Sequence, residues 1–240
     1  EPADEEAALR EVLQFLKSRT GRDFADYKRA TVIRRVSRRM QVNGLPTMTR
    51  YLGFLRTHAG EPSALLQDLL ISVTNFFRDP EAFAALQGEM PRLFRGKTSQ
   101  DAVRVWVPAC ATGEEAYSVA ILLLEHAATL DPAPTLQVFA CDLDDAAIAT
   151  ARTGSYPQAI EADVSEERLR RFFVKEPHGY RVRREVREMV LFSTHDLLRD
   201  APFSRMDLIS CRNLLIYLNP AAQGRLFDLF AFALHPGGVL

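Results

Sequence analysis

The residues between 103 and 122 combine three patterns that together could bind a ligand. An apolar run is followed by a turn of small residues and then by an amphipathic run that opens on two carboxylates, Glu114 and Glu115. This order predicts a strand, a tight loop and a helix. Such a unit binds nucleotide-like ligands at the carboxyl end of its strand. The small residues of the turn are Ala109, Ala111 and Gly113.

The composition of this turn distinguishes between two kinds of ligand. The dinucleotide fingerprint uses three glycines so that the backbone can approach a pyrophosphate, and Gly113 is the only glycine here. Glu114 and Glu115 would also repel a pyrophosphate at the helix N-terminus. S-adenosylmethionine carries an ammonium and a sulfonium group, so it suits these acids better than NAD does. An NAD-type dehydrogenase is therefore the weaker hypothesis.

The composition of the whole chain is ordinary for a soluble globular protein, with 47% hydrophobic residues, 25% charged residues and a net charge of −1. No apolar run approaches the ~20 residues that cross a bilayer, so we expect no membrane insertion. Three cysteines without paired spacing indicate a reducing, cytoplasmic location. The acidic first residues lack Met and are expected to be neither a signal peptide nor a natural start.

The spacing of apolar residues divides the chain into two parts. Residues 1–88 show helical spacing and predict an all-helical N-terminal domain. In residues 89–240 strands and helices alternate, which predicts an α/β domain with a parallel sheet. The predicted strands are 103–108, 136–141, 189–193 and 206–211, and the predicted helices include 114–129 and 144–153.

The alternation is interrupted in two places. Residues 154–188 contain a helix and a hairpin-like piece where a single crossover would suffice, which predicts an inserted subdomain. After a helix near 220–234, a turn from His235 leads into a fifth strand. A sheet ending there would leave its edge unprotected, so we expect the C-terminal strands to lie beyond Leu240 in a longer protein.

Four motifs follow one another along the chain: VTNFFRDP at 73–80, ATGEEAYS at 111–118, FACDLD at 139–144 and ISCRNLLIY at 209–217. In these motifs the chain resembles the CheR family of chemoreceptor glutamate methyltransferases, and is most similar to members fused to a methylesterase or to sensor domains. The resemblance implies a doubly wound class I methyltransferase sheet, an N-terminal all-helical domain and a small inserted β-subdomain. It also implies transfer of a methyl group from S-adenosylmethionine to glutamate side chains of chemoreceptors, with S-adenosylhomocysteine as the product.

The resemblance implies cofactor-binding roles for residues at the predicted strand ends. Asp142 could accept hydrogen bonds from both ribose hydroxyls, although capping the helix that starts near Asp144 is the alternative. Glu114 could pair with the ammonium group of the methionyl part. Its alternative role is compensation of the helix dipole, which Glu115 can supply alone.

Further cofactor contacts are expected after the third and fourth strands of the predicted sheet. Asp196 could accept the adenine amino group. Asn213 could contact the methionyl carboxylate or backbone, or it could serve only a tight turn. The remaining residues expected at the cofactor are Ala111, Thr112, Gly113 and Leu197. Cysteines near the strand ends are expected to be small packing residues rather than metal ligands, because no short Cys pair or His pattern accompanies them.

The resemblance places Arg78 and Tyr217 at the reacting carboxylate. An ionised glutamate is already a nucleophile, so the enzyme has to hold one oxygen in line with the methyl group and exclude water. Arg78 offers a fork of donors and Tyr217 a hydroxyl. The alternatives are an ion pair of Arg78 with Asp79 or another acid, and core packing of Tyr217. Ser72 and Thr74 are expected to line the same pocket.

Two hypotheses remain for the function. The first is a protein-glutamate O-methyltransferase. The second is a sensor or scaffold module that binds S-adenosylmethionine without turnover. The presence of both Arg78 and Tyr217 favours the first.

A basic helix is predicted between Lys28 and Met40, where six basic residues and no acid occur. We expect it to dock the acidic methylation helices of receptors, although a solvated surface helix is the alternative. Nucleic acid is not expected, because aromatic residues for base stacking are missing from this stretch. The expected docking residues are Lys28, Arg34, Arg35, Arg38 and Arg39.

The hairpin-like piece also bears on the partner. In some members of the family the inserted subdomain binds a C-terminal receptor peptide by adding a strand. Here the connection from Val174 to Tyr180 is short and contains Pro177, which cannot donate a ladder hydrogen bond. We therefore expect no tethering by a receptor pentapeptide.

Overall fold

The computed structural model describes residues 2–240, and the side chains of residues 4–240. The contacts within it form two compact units. The helical unit contains the chain up to Ile71 together with Leu214–Arg225, and the sheet unit contains Ser72–Asn213 and Leu226–Leu240. None of the helices in the described part of the chain has the length and apolar character that a membrane crossing requires.

The helical unit is built mainly from four helices that bury their apolar faces against one another. They are α1 (Pro2–Thr20), α2 (Arg29–Val42), α3 (Met48–Thr57) and α4 (Glu61–Leu69). α1 packs against α3 and α4, and α2 packs against α4. Val12, Val36 and Leu65 at these contacts are fully buried. Thr47 caps α3 by accepting a hydrogen bond from the backbone N–H of Arg50.

The sheet unit alternates strands and helices. Its strands are β1 (Ala102–Pro108), β2 (Thr135–Asp142), β3 (Ser155–Pro157), β4 (Phe173–Glu176), β5 (Gly179–Val182), β6 (Val190–Thr194), β7 (Met206–Ile209) and β8 (Leu234–Val239). Its helices are α5 (Pro80–Phe94), α6 (Glu114–Ala127), α7 (Asp145–Thr153), α8 (Glu166–Phe172) and α9 (Arg184–Glu188). A last helix, α10 (Pro220–Ala233), begins in the helical unit and ends in the sheet unit.

The central sheet has the strand order β6-β2-β1-β7-β8, and every neighbouring pair is parallel. The chain adds β2 and β6 on one side of β1 and then β7 and β8 on the other, so the strand order reverses between β1 and β7. Ligands bind beyond the carboxyl ends of the strands at such a switch point. The predicted doubly wound α/β fold is confirmed, although β8 already includes His235, where the sequence predicts a turn.

The insertion between α7 and β6 contains a second, antiparallel sheet in the order β3-β5-β4. Gly179 opens β5, and a Cβ at this position would lie 2.0 Å from the carbonyl oxygen of Tyr156. Glycine therefore permits the close approach of β3 to β5. Phe172 and Phe173 are buried in the same core as the central sheet. The predicted inserted β-subdomain is confirmed.

The boundary between the two parts of the chain differs from the predicted residue 88. This position lies inside α5, which packs against α6 in the sheet unit. Phe83, Met90 and Phe94 are buried in the same core as β1. The contacts change units between Ile71 and Ser72 instead. The predicted boundary lies too late in the chain because the apolar residues of α5 have the same helical spacing as those of the four helices before it.

Candidate active site

The turn between β1 and α6 requires small residues because its backbone is left-handed at three positions. Ala109, Ala111 and Gly113 have φ angles of 55°, 47° and 96°, a region that bulky side chains rarely adopt. A Cβ at Gly113 would lie 2.8 Å from a side-chain carbon of α7, so only glycine fits there. The turn is tied to β2 because the N–H of Cys110 donates to the carbonyl of Cys141 at 3.0 Å.

Asp142, at the end of β2, lies between this turn and α7. Its two carboxylate oxygens accept hydrogen bonds from the N–H groups of Ala111 (2.8 Å) and Asp144 (3.0 Å). The cap of α7 is Asp144, which accepts from the N–H groups of Ala146 and Ala147. Burial raises the pKa of Asp142, and the backbone donors oppose that effect. Since a carboxylate offers about four lone-pair sites, Asp142 retains acceptors for two ribose hydroxyls.

Two partly buried carboxylates open α6. Glu114 accepts a hydrogen bond from the hydroxyl of Thr112 at 2.6 Å, and Glu115 accepts one from the hydroxyl of Ser210 at 2.7 Å. Burial raises the pKa of both acids. For Glu115, the hydrogen bond from Ser210 and the charge of Arg212 act in the opposite direction. A cationic ligand end at this site would stabilise the charged forms of both acids.

Asp196, the predicted adenine contact, and Leu197 lie in a local turn after β6. One oxygen of Asp196 accepts from the N–H of Leu198 at 3.0 Å, and the other lies 3.7 Å from the guanidinium of Arg199. Leu197 is buried. Asn213 is exposed and has a φ angle of 58°, the conformation that asparagine adopts in tight turns. This geometry favours the turn interpretation of Asn213, and the cofactor roles of these residues stay predictions.

Residues 72–79, which we call the substrate segment, precede α5 and contain the predicted pocket residues Ser72 and Thr74. Three of the hydrogen bonds that fasten the segment to the rest of the sheet unit come from residues 72–77. They join Ser72 to Asp144 (3.4 Å), Asn75 to Asp163 (3.1 Å) and Phe77 to Ser118 (3.0 Å). These partners belong to α6, to the N-cap of α7 and to the inserted subdomain, so the segment is held from three sides.

The guanidinium of Arg78 donates to the carbonyl of Val73 at 2.9 Å, within the substrate segment. Asp79, its alternative partner in the sequence analysis, is bound instead by Arg212 at 2.8 Å, and Arg212 also donates to the carbonyl of Arg78 at 2.7 Å. Arg212 also lies 3.9 Å from a carboxylate oxygen of Glu115, so the same side chain joins the backbone of Arg78 to the first turn of α6. The segment thus brings a fork of donors to the sheet edge where the cofactor candidates lie.

Comparison with protein families assigns both parts of the chain. Residues 7–70 match the family model described as the CheR methyltransferase all-alpha domain, and residues 72–240 match the CheR methyltransferase SAM binding domain. The chain belongs to the CheR methyltransferase family. This confirms the family that the four motifs indicate.

Similar proteins occur in several bacteria. An uncharacterized 104.1 kDa protein of Rhodobacter capsulatus is 40% identical over 241 residues, which cover 100% of this chain and 25% of that protein. The chemotaxis protein methyltransferase of Escherichia coli K12 is 34% identical, over 98% of this chain and 82% of the relative. The chemotaxis protein methyltransferase of Listeria monocytogenes is 30% identical, over 94% and 84%. This chain thus spans a quarter of the length of the first relative and most of the length of the other two.

S-adenosylmethionine is the cofactor of this CheR-family chain, because the sheet unit matches the SAM binding domain of the family. The residues at the switch point fit this ligand. Asp142 would offer acceptors to a ribose, the left-handed turn would allow close approach of a ligand to the backbone, and the acids of α6 would balance a cationic end. When bound, the cofactor supplies an electrophilic methyl group.

Replacing Asp142 by alanine is expected to weaken cofactor binding by about 1–3 kcal/mol, because the ribose loses its acceptors and the Ala111 N–H loses its partner. Calorimetric titration with S-adenosylhomocysteine measures the change. A suitable control is Asp101→Ala, which removes a carboxylate next to the opposite end of β1. Equal affinities of Asp142→Ala and wild type would exclude Asp142 from the cofactor site.

Tyr217 belongs to the helical unit, where it ends a short 3-10 helix, Leu215–Tyr217. Its carbonyl accepts a hydrogen bond from the N–H of Lys28 at 2.7 Å, and its side chain is partly exposed. Core packing alone does not describe this tyrosine. Its role at the reacting carboxylate stays a prediction.

The structure corrects the predicted docking face at Arg39. This side chain binds Glu61 of α4 through two hydrogen bonds of 2.9 and 2.7 Å, and Tyr51 donates to the same carboxylate at 2.8 Å. Glu61 is only 5% exposed. Arg39 therefore joins α2 to α4 inside the helical unit and is not a free docking cation.

The other basic residues of α2 differ in their exposure. Lys28 and Arg34 are exposed, and Arg38 is exposed although its guanidinium lies 3.8 Å from Asp68. Arg35 is partly buried, and its Nε atom is buried without a hydrogen bond among the described residues. Arg29 is also exposed but is ion-paired with Glu6, so the exposed positive charge comes mainly from Arg34 and Arg38 of α2 and from Lys28 at its N-cap.

Sequence reasoning assigned no specific role to a group of polar residues that connects the site. The sequence predicts for Glu115 only a general preference for a cationic ligand and compensation of the helix dipole, and it predicts no role for Ser118, Ser210 or Arg212. Each lies inside one of the motifs at 111–118 and 209–217. The motifs were therefore the signal that could have identified them.

The cysteines near the strand ends do not form a metal centre with other residues. Burial raises the pKa of Cys110 well above its ordinary value and raises those of Cys141 and Cys211 to about 12. Trp106 donates its indole N–H to the Cys141 sulfur at 3.3 Å. Across the described residues, no group of three or more His, Cys, Asp or Glu side chains could hold a metal ion.

Proposed function

We propose that this chain transfers the methyl group of S-adenosylmethionine to the side-chain carboxylates of glutamates on acidic helical segments of chemoreceptors in the cytoplasm. The observation that carries the proposal is the link between Arg78 and α6, because Arg212 donates to the carbonyl of Arg78 at 2.7 Å and lies 3.9 Å from Glu115. Two relatives that match most of this chain are named chemotaxis protein methyltransferases. No comparable observation favours a module that binds the cofactor without turnover.

The reaction requires little acid–base catalysis by the protein. A glutamate carboxylate is ionised at neutral pH, so one of its oxygens can attack the methyl carbon directly. The new C–O bond forms while the C–S bond breaks, and its electron pair stays on sulfur, which leaves a methyl ester and S-adenosylhomocysteine. Arg78 orients the carboxylate with its fork of donors.

The decisive experiment incubates the chain with cofactor labelled in the methyl group and with receptor cytoplasmic fragments. Incorporation of label that is released as methanol by mild alkali identifies a carboxylate ester, whereas an N-methyl group would resist this treatment. Fragments in which the acceptor glutamates are replaced by glutamine serve as the control. Cofactor binding without any alkali-labile label would contradict the proposal.

We expect receptor recognition to depend on the exposed cations of α2 and not on a peptide tether. Arg34→Glu with Arg38→Glu should raise the KM for receptor strongly at low salt, and the effect should shrink in high salt as the screening length falls below ~10 Å.

Deleting the last five receptor residues should leave the KM unchanged, because β4 and β5 are joined by only Pro177 and His178.

The matched control for this prediction reverses two exposed arginines of the inserted subdomain, Arg170→Glu with Arg184→Glu. This variant has the same net charge as the α2 variant. Equal KM values for the two variants would show that α2 has no specific role. A clear loss of rate on the receptor deletion would show that the subdomain does bind a tether.

A further inference from the structure

Ser118 lies one helical turn after the start of α6 and is fully buried. Its hydroxyl donates to the carbonyl of Glu114 at 2.7 Å and accepts from the N–H of Phe77 at 3.0 Å. One side chain therefore connects the first turn of α6, which carries the acids of the cofactor site, to the residue before Arg78.

The backbone that Ser118 holds is strained. Phe77 and Asp79 have φ angles of 48° and 57°, and a bulky residue in this region is rare and costs energy. Such a conformation persists only when its surroundings enforce it. The buried N–H of Phe77 would also lack a partner if the hydroxyl of Ser118 were removed, which adds the cost of an unpaired donor.

Three other contacts hold Phe77 and Arg78. The ring of Phe77 packs against Phe83 with centroids 5.4 Å apart, and the guanidinium of Arg168 lies 4.3 Å above it. On the far side, Arg212 binds the carbonyl of Arg78. These contacts fasten the ring and the end of the segment, and Arg212 also lies 3.9 Å from Glu115. Among the described residues, the hydrogen bond to Ser118 is the one that joins the backbone of Phe77 directly to α6.

We infer that Ser118 is a positioning residue, which fixes the guanidinium of Arg78 relative to the methyl group that α6 helps to hold. This inference rests on the proposed function. Ser118 touches neither cofactor nor substrate in this role; it acts through the backbone of Phe77. In-line methyl transfer depends steeply on the placement of the attacking oxygen, so a small shift of Arg78 is expected to lower kcat more than it changes either KM.

The test compares Ser118→Ala with Ser118→Thr, which keeps the hydroxyl, in the full chain. Ser118→Ala should lower kcat by about 10- to 100-fold, leave cofactor affinity within about twofold of wild type because Glu114 and Glu115 keep their side chains, and speed hydrogen–deuterium exchange at the N–H of Phe77. Ser118→Thr should recover most of the rate. The exchange measurement does not depend on turnover, so it tests the positioning role separately from the proposed reaction.

A matched control is Tyr117→Phe. It removes a different buried hydrogen bond of α6, which the Tyr117 hydroxyl donates to the carbonyl of Ala151 at 2.7 Å. A kcat loss in Tyr117→Phe equal to that in Ser118→Ala would assign the effect to general packing and overturn the inference. So would unchanged exchange at Phe77, or a rate that threonine fails to restore. Failure of the wild-type chain to form any methyl ester would contradict the proposed function instead.

Discussion

Replacing Arg78 by alanine is expected to lower kcat for methyl transfer by about 100-fold or more, because the substrate carboxylate loses the donors that hold it in line. Cofactor affinity should change little, since the carboxylates assigned to the cofactor lie on β2 and α6. Arg78→Lys should recover little activity, because an ammonium group lacks the two parallel donors of a guanidinium. Initial rates with labelled cofactor, together with calorimetric titration of S-adenosylhomocysteine, measure both quantities.

The fold should tolerate this substitution. Arg78 donates one hydrogen bond to the carbonyl of Val73, and the loss of such a bond costs about 0.5–1.5 kcal/mol. Melting curves of the variant and of Arg95→Ala, an exposed arginine at the end of α5, check this point. If Arg78→Ala folds and turns over receptor at the wild-type rate, the assignment of Arg78 to the substrate carboxylate is wrong.

The sheet and its switch point could be predicted because they depend on local patterns. Continuous apolar runs identify buried parallel strands, and the small residues from Ala109 to Gly113 identify a turn whose backbone is left-handed. The motifs then place Asp142 and Glu114 at the ends of adjacent elements. No long-range information is needed for these steps, since the carboxyl ends of parallel strands always share one edge of the sheet.

The connections between distant residues could not be predicted in the same way. A helical wheel places Arg39 on the polar face of α2, and nothing in its neighbourhood indicates that Glu61, 22 residues later, is buried against it. The substrate segment presents the same difficulty. Asp79 is next to Arg78 in sequence, but its ion pair is with Arg212, 133 residues away. Local spacing identifies the elements, whereas ion pairs between elements depend on how these elements pack.

Breaking the ion pair between Arg39 and Glu61 should cause the largest loss of stability that we expect. Glu61→Gln should destabilise the helical unit by about 3–5 kcal/mol, because the guanidinium of Arg39 is left without its counter-charge at a site where its side chain is only 18% exposed. Urea unfolding followed by circular dichroism measures the loss of helix. Trp106, the single tryptophan, lies in the sheet unit, so its fluorescence reports separately on the sheet unit.

The matched control is Glu11→Gln, which breaks the pair of Glu11 with Arg56 in the same unit. Both of these side chains are about half exposed, so this loss should stay below about 1 kcal/mol. The double variant Arg39→Met with Glu61→Gln should be less destabilised than the sum of the two single variants, because no unpaired charge remains buried. Equal losses in Glu61→Gln and Glu11→Gln would show that burial adds nothing to the pair.

The same pair predicts a dependence on pH. Burial raises the pKa of Glu61, but the hydrogen bonds from Arg39 and Tyr51 outweigh it and hold the pKa below the ordinary value of 4.5. A carboxylate with a lowered folded-state pKa stabilises the fold fully above its unfolded value, and this contribution is lost as the pH falls through the folded value. The stability difference between wild type and Glu61→Gln should therefore be constant near neutral pH and narrow below about pH 4.5. A difference that stays the same down to strongly acidic pH would show that the charge of Glu61 does not stabilise the helical unit.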